Sequence, residues 1–205
     1  SVVNPGLITD CGPPDVVENQ YSTCMVCVPP PPSTCGPGLK MSGTTCVNCD
    51  SGTFKAGTDS ATVCTACTAN SGTGAITGST AITACVANAG FYGANGGPAT
   101  ACPVNSGTGT TTGATAVTAC VANAGFYRAN GAAATACPAN SGTGTTTGAT
   151  AVTACVAKPG FYGANGAAAT ACPVNSGTGN IAGSTAASAC VADAGHTGSG
   201  TSVTK

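Results

Sequence analysis

Cys137-Pro-Ala-Asn-Ser-Gly-Thr-Gly144, Thr145-Thr-Thr-Gly-Ala-Thr-Ala-Val-Thr-Ala-Cys155 and Val156-Ala-Lys-Pro-Gly-Phe-Tyr-Gly-Ala-Asn-Gly-Ala-Ala-Ala-Thr-Ala171 together make one unit of a repeat. Two cysteine ladders show its period. Cys67, Cys102, Cys137 and Cys172 are 35 residues apart, and so are Cys85, Cys120, Cys155 and Cys190. A fixed period of this length means stacked units that lean on their neighbours. The chain therefore divides into an extended segment (1–10), cysteine-rich modules (11–66) and four repeats (67–101, 102–136, 137–171 and a degenerate capping unit, 172–205).

Composition explains why such units need cross-links. Leu occurs only at 7 and 39, Trp is absent, and aromatic residues make up 4% of the 205 residues. The 42% counted as hydrophobic is mostly Ala, Val and Cys, which leaves no large oil-like core. With 15 cysteines, covalent staples are the expected substitute, as in small modules of oxidising compartments. One bridge stabilises by about 3 kcal/mol. That offsets the backbone entropy of only a few residues at about 1–2 kcal/mol each, so stacking must supply the rest.

Only 5% of residues are charged and the net charge is −1. No basic stripe suits nucleic acid, and no polybasic cluster suits anionic lipid. Near-neutral copies repel one another little, so dense packing on a surface is tolerated. The apolar runs are far shorter than the roughly 20 residues that span a bilayer. The expectation is a mature chain from which any targeting segments have been removed. Residues 1–10 read as an extended terminus broken at Pro5-Gly6, or as a strand donated to a neighbouring copy through Val2, Val3, Leu7 and Ile8.

Cys24/Cys27 and Cys46/Cys49 stand as Cys-x2-Cys-x18-Cys-x2-Cys, the spacing of a zinc ribbon. The laddered cysteines downstream have no second ligand pair, and the one histidine is His196. Disulfides fit better, with no metal and no cofactor. Each Cys-x-x-Cys is then a junction, its first Cys closing one loop and its second opening the next. The spacing gives Cys49–Cys64, Cys67–Cys85, Cys102–Cys120, Cys137–Cys155 and Cys172–Cys190, with Cys35–Cys46 joining them. Cys11–Cys24 is the simplest further pair and leaves Cys27 over. Pairing Cys27 with Cys35 or Cys46 would instead leave one of those two unpaired.

In the repeats the junction is reduced. Counting from the cysteines, Asn88 falls where Cys49 would stand, and one cysteine remains where the earlier module has Cys64 and Cys67. Both partners of one bridge are lost together. Asn105-Ser-Gly-Thr-Gly109 is turn chemistry, and Asn130-Gly131 between short extended runs is a hairpin signal. Each unit thus reads as one stapled loop plus one Asn-Gly hairpin. The fold expected is all-β or irregular and disulfide-rich, an elongated rod of stacked 35-residue repeats with short β-hairpins.

Phe54, Phe91, Tyr92, Phe126, Tyr127, Phe161 and Tyr162 are the only large apolar features of their units. They are expected to stack at junctions, the Phe91, Phe126 and Phe161 rings on a disulfide. Differences between units mark the outside, at Asn88/Asn123/Lys158/Asp193 and at Gly93/Arg128/Gly163. In the last unit Phe-Tyr becomes His196-Thr197, read as a solvated end. No nucleophile has an evident base and no carboxylates pair for acid–base work, which argues against catalysis.

The Cys-x-x-Cys junctions, the Gly-Thr-Phe or Gly-Phe-Tyr after each, and the Thr/Ala/Gly-rich spacers resemble ciliate immobilisation antigens over residues 24–205. The modules are also similar to the cysteine-rich repeats of growth-factor and ephrin receptors. The resemblance implies a variable coat protein at the cell surface, held by a glycosylphosphatidylinositol anchor. Its partners would be neighbouring copies of itself and antibodies, and it would meet the membrane only through the lipid. A structural subunit of an extracellular fibre is the alternative, and an ice-binding or adhesive module a lesser one, since the Thr spacing is irregular within each unit. No Asn-x-Ser/Thr acceptor occurs, while Thr110–Thr112 and Thr145–Thr147 could carry O-linked sugars in a glycoprotein.

Overall fold

A computed structural model describes residues 31–205. The fold is a disulfide-rich, all-β series of short antiparallel hairpins. It opens with the longest pairing, Leu39–Ser42 against Thr45–Asn48, around a turn in which Gly43 has φ +61°. Thr53–Phe54 then pairs with Thr65–Ala66.

Each of the first three repeats carries two ladders of two residues per strand. In residues 102–136, Ser106–Gly107 pairs with Val121–Ala122 across the stapled loop, and Phe126–Tyr127 pairs with Thr135–Ala136. The same pairs recur 35 residues earlier and later. One 3-10 turn precedes each closing cysteine, as at Val117–Ala119 before Cys120. Strands this short are marginal alone and persist because their neighbours hold them. Among the described residues, every backbone hydrogen bond outside the ladders joins positions closer in sequence than one period, so the units form a linear series.

The Asn-Gly hairpins are present, but not as two-residue turns. Ala132 N donates to Ala129 O at 3.2 Å, and of the two central residues only Gly131 has positive φ, +84°. That is the type II pattern; the tight hairpin turn would need Asn130 left-handed too. The turn is set inside a wider loop because Gly131 N points back to Cys120 O, at 2.9 Å.

The interior is sulfur and alanine. The largest fully buried side chains are Cys35, Cys49, Cys85, Cys120, Cys155 and Cys190. Ala87, Ala99, Ala122, Ala134, Ala157 and Ala169 accompany them. The aromatic residues, from Phe54 to Tyr162, are only half-buried. They lie on two-residue strands opposite Thr-Ala and do not form the core.

The last unit differs from the expected loose end. Thr197–Ser199 and Ser202–Thr204 form a hairpin that joins Ser176–Gly177 and Val191–Ala192 in a four-stranded sheet. His196 is half-buried, and its Nδ1 is enclosed with no hydrogen-bond partner, so it is not a solvated end residue.

Candidate functional site

The recurring feature with the most specific geometry is the junction between units, built from Asn-Ser-Gly-Thr-Gly. Asn70, Asn105, Asn140 and Asn175 are left-handed, at φ +57° to +63°. Asn reaches this region more readily than other side-chain-bearing residues and keeps an amide to bond with. Asn70, Asn105 and Asn140 donate through Nδ2 to Ala99, Ala134 and Ala169 O at 3.1, 3.3 and 3.0 Å. The serine that follows closes the turn, as where Ser106 Oγ donates to Pro103 O at 2.6 Å.

The threonine crosses between units. Thr108, Thr143 and Thr178 Oγ1 each accept from the preceding unit, from Gly90, Gly125 and Gly160 N, at 2.8 Å. The same hydroxyls donate to Thr111, Thr146 and Ile181 O at 2.8, 2.7 and 3.0 Å. Two backbone bonds flank each clamp. Gly113 N donates to Ala87 O at 2.7 Å and Gly93 N to Ala114 O at 2.9 Å, with counterparts at Gly148/Arg128 and Gly183/Gly163. Buried backbone groups must be paired, so these bonds, with that from Cys102 N to Gly90 O and its counterparts, fix the stacking register.

Among the described residues six disulfides staple the series, Cys35–Cys46, Cys49–Cys64, Cys67–Cys85, Cys102–Cys120, Cys137–Cys155 and Cys172–Cys190, with Cα separations of 5.6–5.8 Å. The pairs drawn from spacing between Cys35 and Cys190 are the pairs brought together. Cys46 and Cys49, half of the zinc-ribbon quartet, are bonded elsewhere and have no thiolate to offer a metal. Cys11, Cys24 and Cys27, and the proposed strand donor at 1–10, lie outside the described residues.

The place of Cys49 is filled in the repeats by Ala87, not Asn88. Gly78 N bonds Cys49 O as Gly113 N bonds Ala87 O. Cys67 N bonds Gly52 O as Cys102 N bonds Gly90 O. The repeat junction is one residue shorter, so counting from the cysteines slips by one. Cys64, ahead of Thr65-Ala66-Cys67, corresponds to Ala99 ahead of Thr100-Ala101-Cys102. Cys49 is 0% exposed and Ala87 2%, whereas Asn88 is exposed.

The outer surface varies between units. Asn88, Asn123, Lys158 and Asp193 are exposed, as are Arg128, Thr110–Thr112 and Thr145–Thr147. Gly93 and Gly163 do not belong to this outside set. They are half-buried, and a Cβ on them would lie 3.1 Å from Ala99 Cα or 3.2 Å from Ala169 Cα. A groove of about 480 Å³ runs beside the junction of the second and third repeats, with Lys158 its only charged lining residue.

Lys55 carries a role that spacing did not reveal. Its side chain is 6% exposed. Its Nζ donates to Cys35 O and Leu39 O at 2.9 Å and to Asp59 O at 3.3 Å, and pairs with Asp59 Oδ1 at 2.7 Å. The hydrogen bond from Lys55, with that from Ala61 N, holds the Asp59 carboxyl below its ordinary 3.8. The available signal was Lys55 itself, a charge at a position that is Gly, Arg and Gly in the repeats. Nearby, Lys40 and Asp50 form an exposed pair.

Among the described residues, no three His, Cys, Asp or Glu side chains are placed to hold a metal ion, and no helix is long and apolar enough to cross a membrane. No family model, curated protein or solved structure matches the chain. The disulfides fit an extracellular or secreted protein.

Proposed function

We propose that the protein is a non-enzymatic cell-surface coat protein of the immobilisation-antigen kind, a stapled spacer displaying variable positions outward. One observation carries this reading. The bonds that set unit-to-unit stacking recur with little change, while Asn88, Asn123, Lys158 and Asp193 differ at one exposed place. A scaffold held constant beneath a changing surface suits a protein met by antibodies and the environment. The low charge suits close packing with copies of itself. A glycosylphosphatidylinositol anchor would tie the array to the membrane.

The test uses intact cells. Antibody to the chain should label them without permeabilisation, and a phospholipase that cuts the anchor should release the label. Labelling only after permeabilisation would contradict the surface role. Label that resists the phospholipase would contradict the anchor alone.

A structural subunit of an extracellular fibre is the second reading, favoured by the low charge, since near-neutral copies repel one another little. A molar mass in light scattering that stays monomeric on concentration would count against the fibre.

A further inference from the structure

Asn followed by Gly is the dipeptide most open to spontaneous loss of the side-chain amide. The unhindered glycine N attacks Asn Cγ, ammonia leaves, and a succinimide closes. Water then opens the ring to aspartate or isoaspartate. The net change is amide plus water to carboxylic acid plus ammonia, with no oxidant or reductant.

The chain has three such pairs, Asn95-Gly96, Asn130-Gly131 and Asn165-Gly166, with all three asparagines exposed at hairpin tips. In every one the attacking nitrogen is engaged. Gly96, Gly131 and Gly166 N donate to Cys85, Cys120 and Cys155 O at 2.8, 2.9 and 2.8 Å. The acceptors belong to the closing cysteines, which are at most 1% exposed. Each glycine also lies against the 3-10 turn before that cysteine. A Cβ there would sit 3.3 Å from Ile82, 3.3 Å from Val117 or 3.2 Å from Val152 O. Nucleophile and turn are thus fastened to the segment that the disulfide holds.

We propose that Asn95, Asn130 and Asn165 are latent deamidation sites, each kept intact by the disulfide of its own unit and unlocked when that staple is lost. A dithiol reductant opens the bond, giving two protein thiols while its own thiols become a disulfide. The closing cysteine is then free to move, and the glycine N leaves its carbonyl. Reoxidation does not reverse the next step, because the ammonia has left, and where the ring opens to isoaspartate the backbone is also one carbon longer and the turn no longer fits. Each event also adds a negative charge to a chain of net charge −1. A unit that has lost its staple is therefore permanently marked. Asn70, Asn105 and Asn140 differ, since their amides are held by Ala99, Ala134 and Ala169 O.

The experiment incubates the oxidised full-length chain and its reduced, alkylated form at mildly alkaline pH, and follows amide-to-acid conversion at each Asn by peptide mapping. Conversion at all three sites should be at least about tenfold slower in the oxidised chain, equivalent to about 1.4 kcal/mol of opening free energy. Equal rates in the two forms would overturn the proposal. In a Cys102→Ser/Cys120→Ser variant, Asn130 should accelerate while Asn95 and Asn165 stay slow. Acceleration of all three together, or of none, would overturn the unit-by-unit assignment.

Discussion

Residues 49–66 and residues 87–101 are two versions of one hairpin. Thr53–Phe54 pairs with Thr65–Ala66 in the first as Phe91–Tyr92 pairs with Thr100–Ala101 in the second. The first is closed by Cys49–Cys64 and pinned by the enclosed Lys55 ammonium. The second has Ala87 and Ala99 in the cysteines' places, and its tip is tied by Gly96 N to Cys85 O. A buried disulfide and a pair of buried alanines are alternative fillings of one small apolar space. The Thr clamp is common to both, since Gly52 N donates to Thr73 Oγ1 at 2.7 Å as Gly90 N does to Thr108 Oγ1, so what the repeats add in place of the cross-link is the Asn amide and the Gly96 N bond to their own hairpin.

Removing either kind of support should separate the two regions. Because a linear series does not unfold as one unit, the readout is hydrogen exchange resolved along the chain. Lys55→Met removes three charge-assisted bonds and the Asp59 pair, leaving Cys35 O and Asp59 O only their mutual backbone partners, and should lower protection across residues 35–66 by about 3 kcal/mol, leaving residues 102–190 unchanged. Cys102→Ala/Cys120→Ala removes the only bridge of its unit and should cost about 3 kcal/mol there. Residues 35–66 should not respond. Uniform loss along the whole chain in either variant would break the picture of locally closed units.

The single clamp is worth less. Thr143→Val leaves Gly125 N and Thr146 O without their shared partner and should cost about 1–2 kcal/mol, confined to the units on either side. The smallest effect is pH-dependent and belongs to the N-terminal module alone. Asp59 has a folded pKa below its ordinary 3.8, so its contribution is fully present above that value and is lost as pH falls through the lower, folded one. Protection of residues 35–66 should therefore drop in strong acid, and Asp59→Asn should abolish that dependence.

Much of this design was legible in the chain. The cysteine ladders announce the period, and Cys-x-x-Cys junctions with short loops leave little freedom in pairing between Cys35 and Cys190. Two kinds of information were not. Hydrogen bonds between units depend on which carbonyl faces which nitrogen, so Asn-Ser-Gly-Thr-Gly reads as a turn and not as a clamp. A one-residue deletion is also invisible from a single anchor. Counting from Cys46 and Cys85 selects Asn88, whereas counting back from Gly52 and Gly90 selects Ala87. Lys55 escaped because a charged residue in a half-polar hairpin reads as surface until three carbonyls are found around it. His196 escaped for a related reason: the hairpin after it stands in the place of the repeats' aromatic hairpin, with Gly200 N on Cys190 O at 2.8 Å, but it joins a four-stranded sheet that the loss of Phe-Tyr does not foretell.

The equivalence of the two hairpins has a direct test, Ala122→Cys/Ala134→Cys in the second repeat, where both alanines are buried. Titration of thiols under denaturing, non-reducing conditions should find no more free thiol than in the parent chain. The peptide map should show a new bridge joining the two substituted positions, with local stability raised by about 2–3 kcal/mol. Two additional free thiols in a chain that still folds would mean that the alanines do not occupy the places of Cys49 and Cys64.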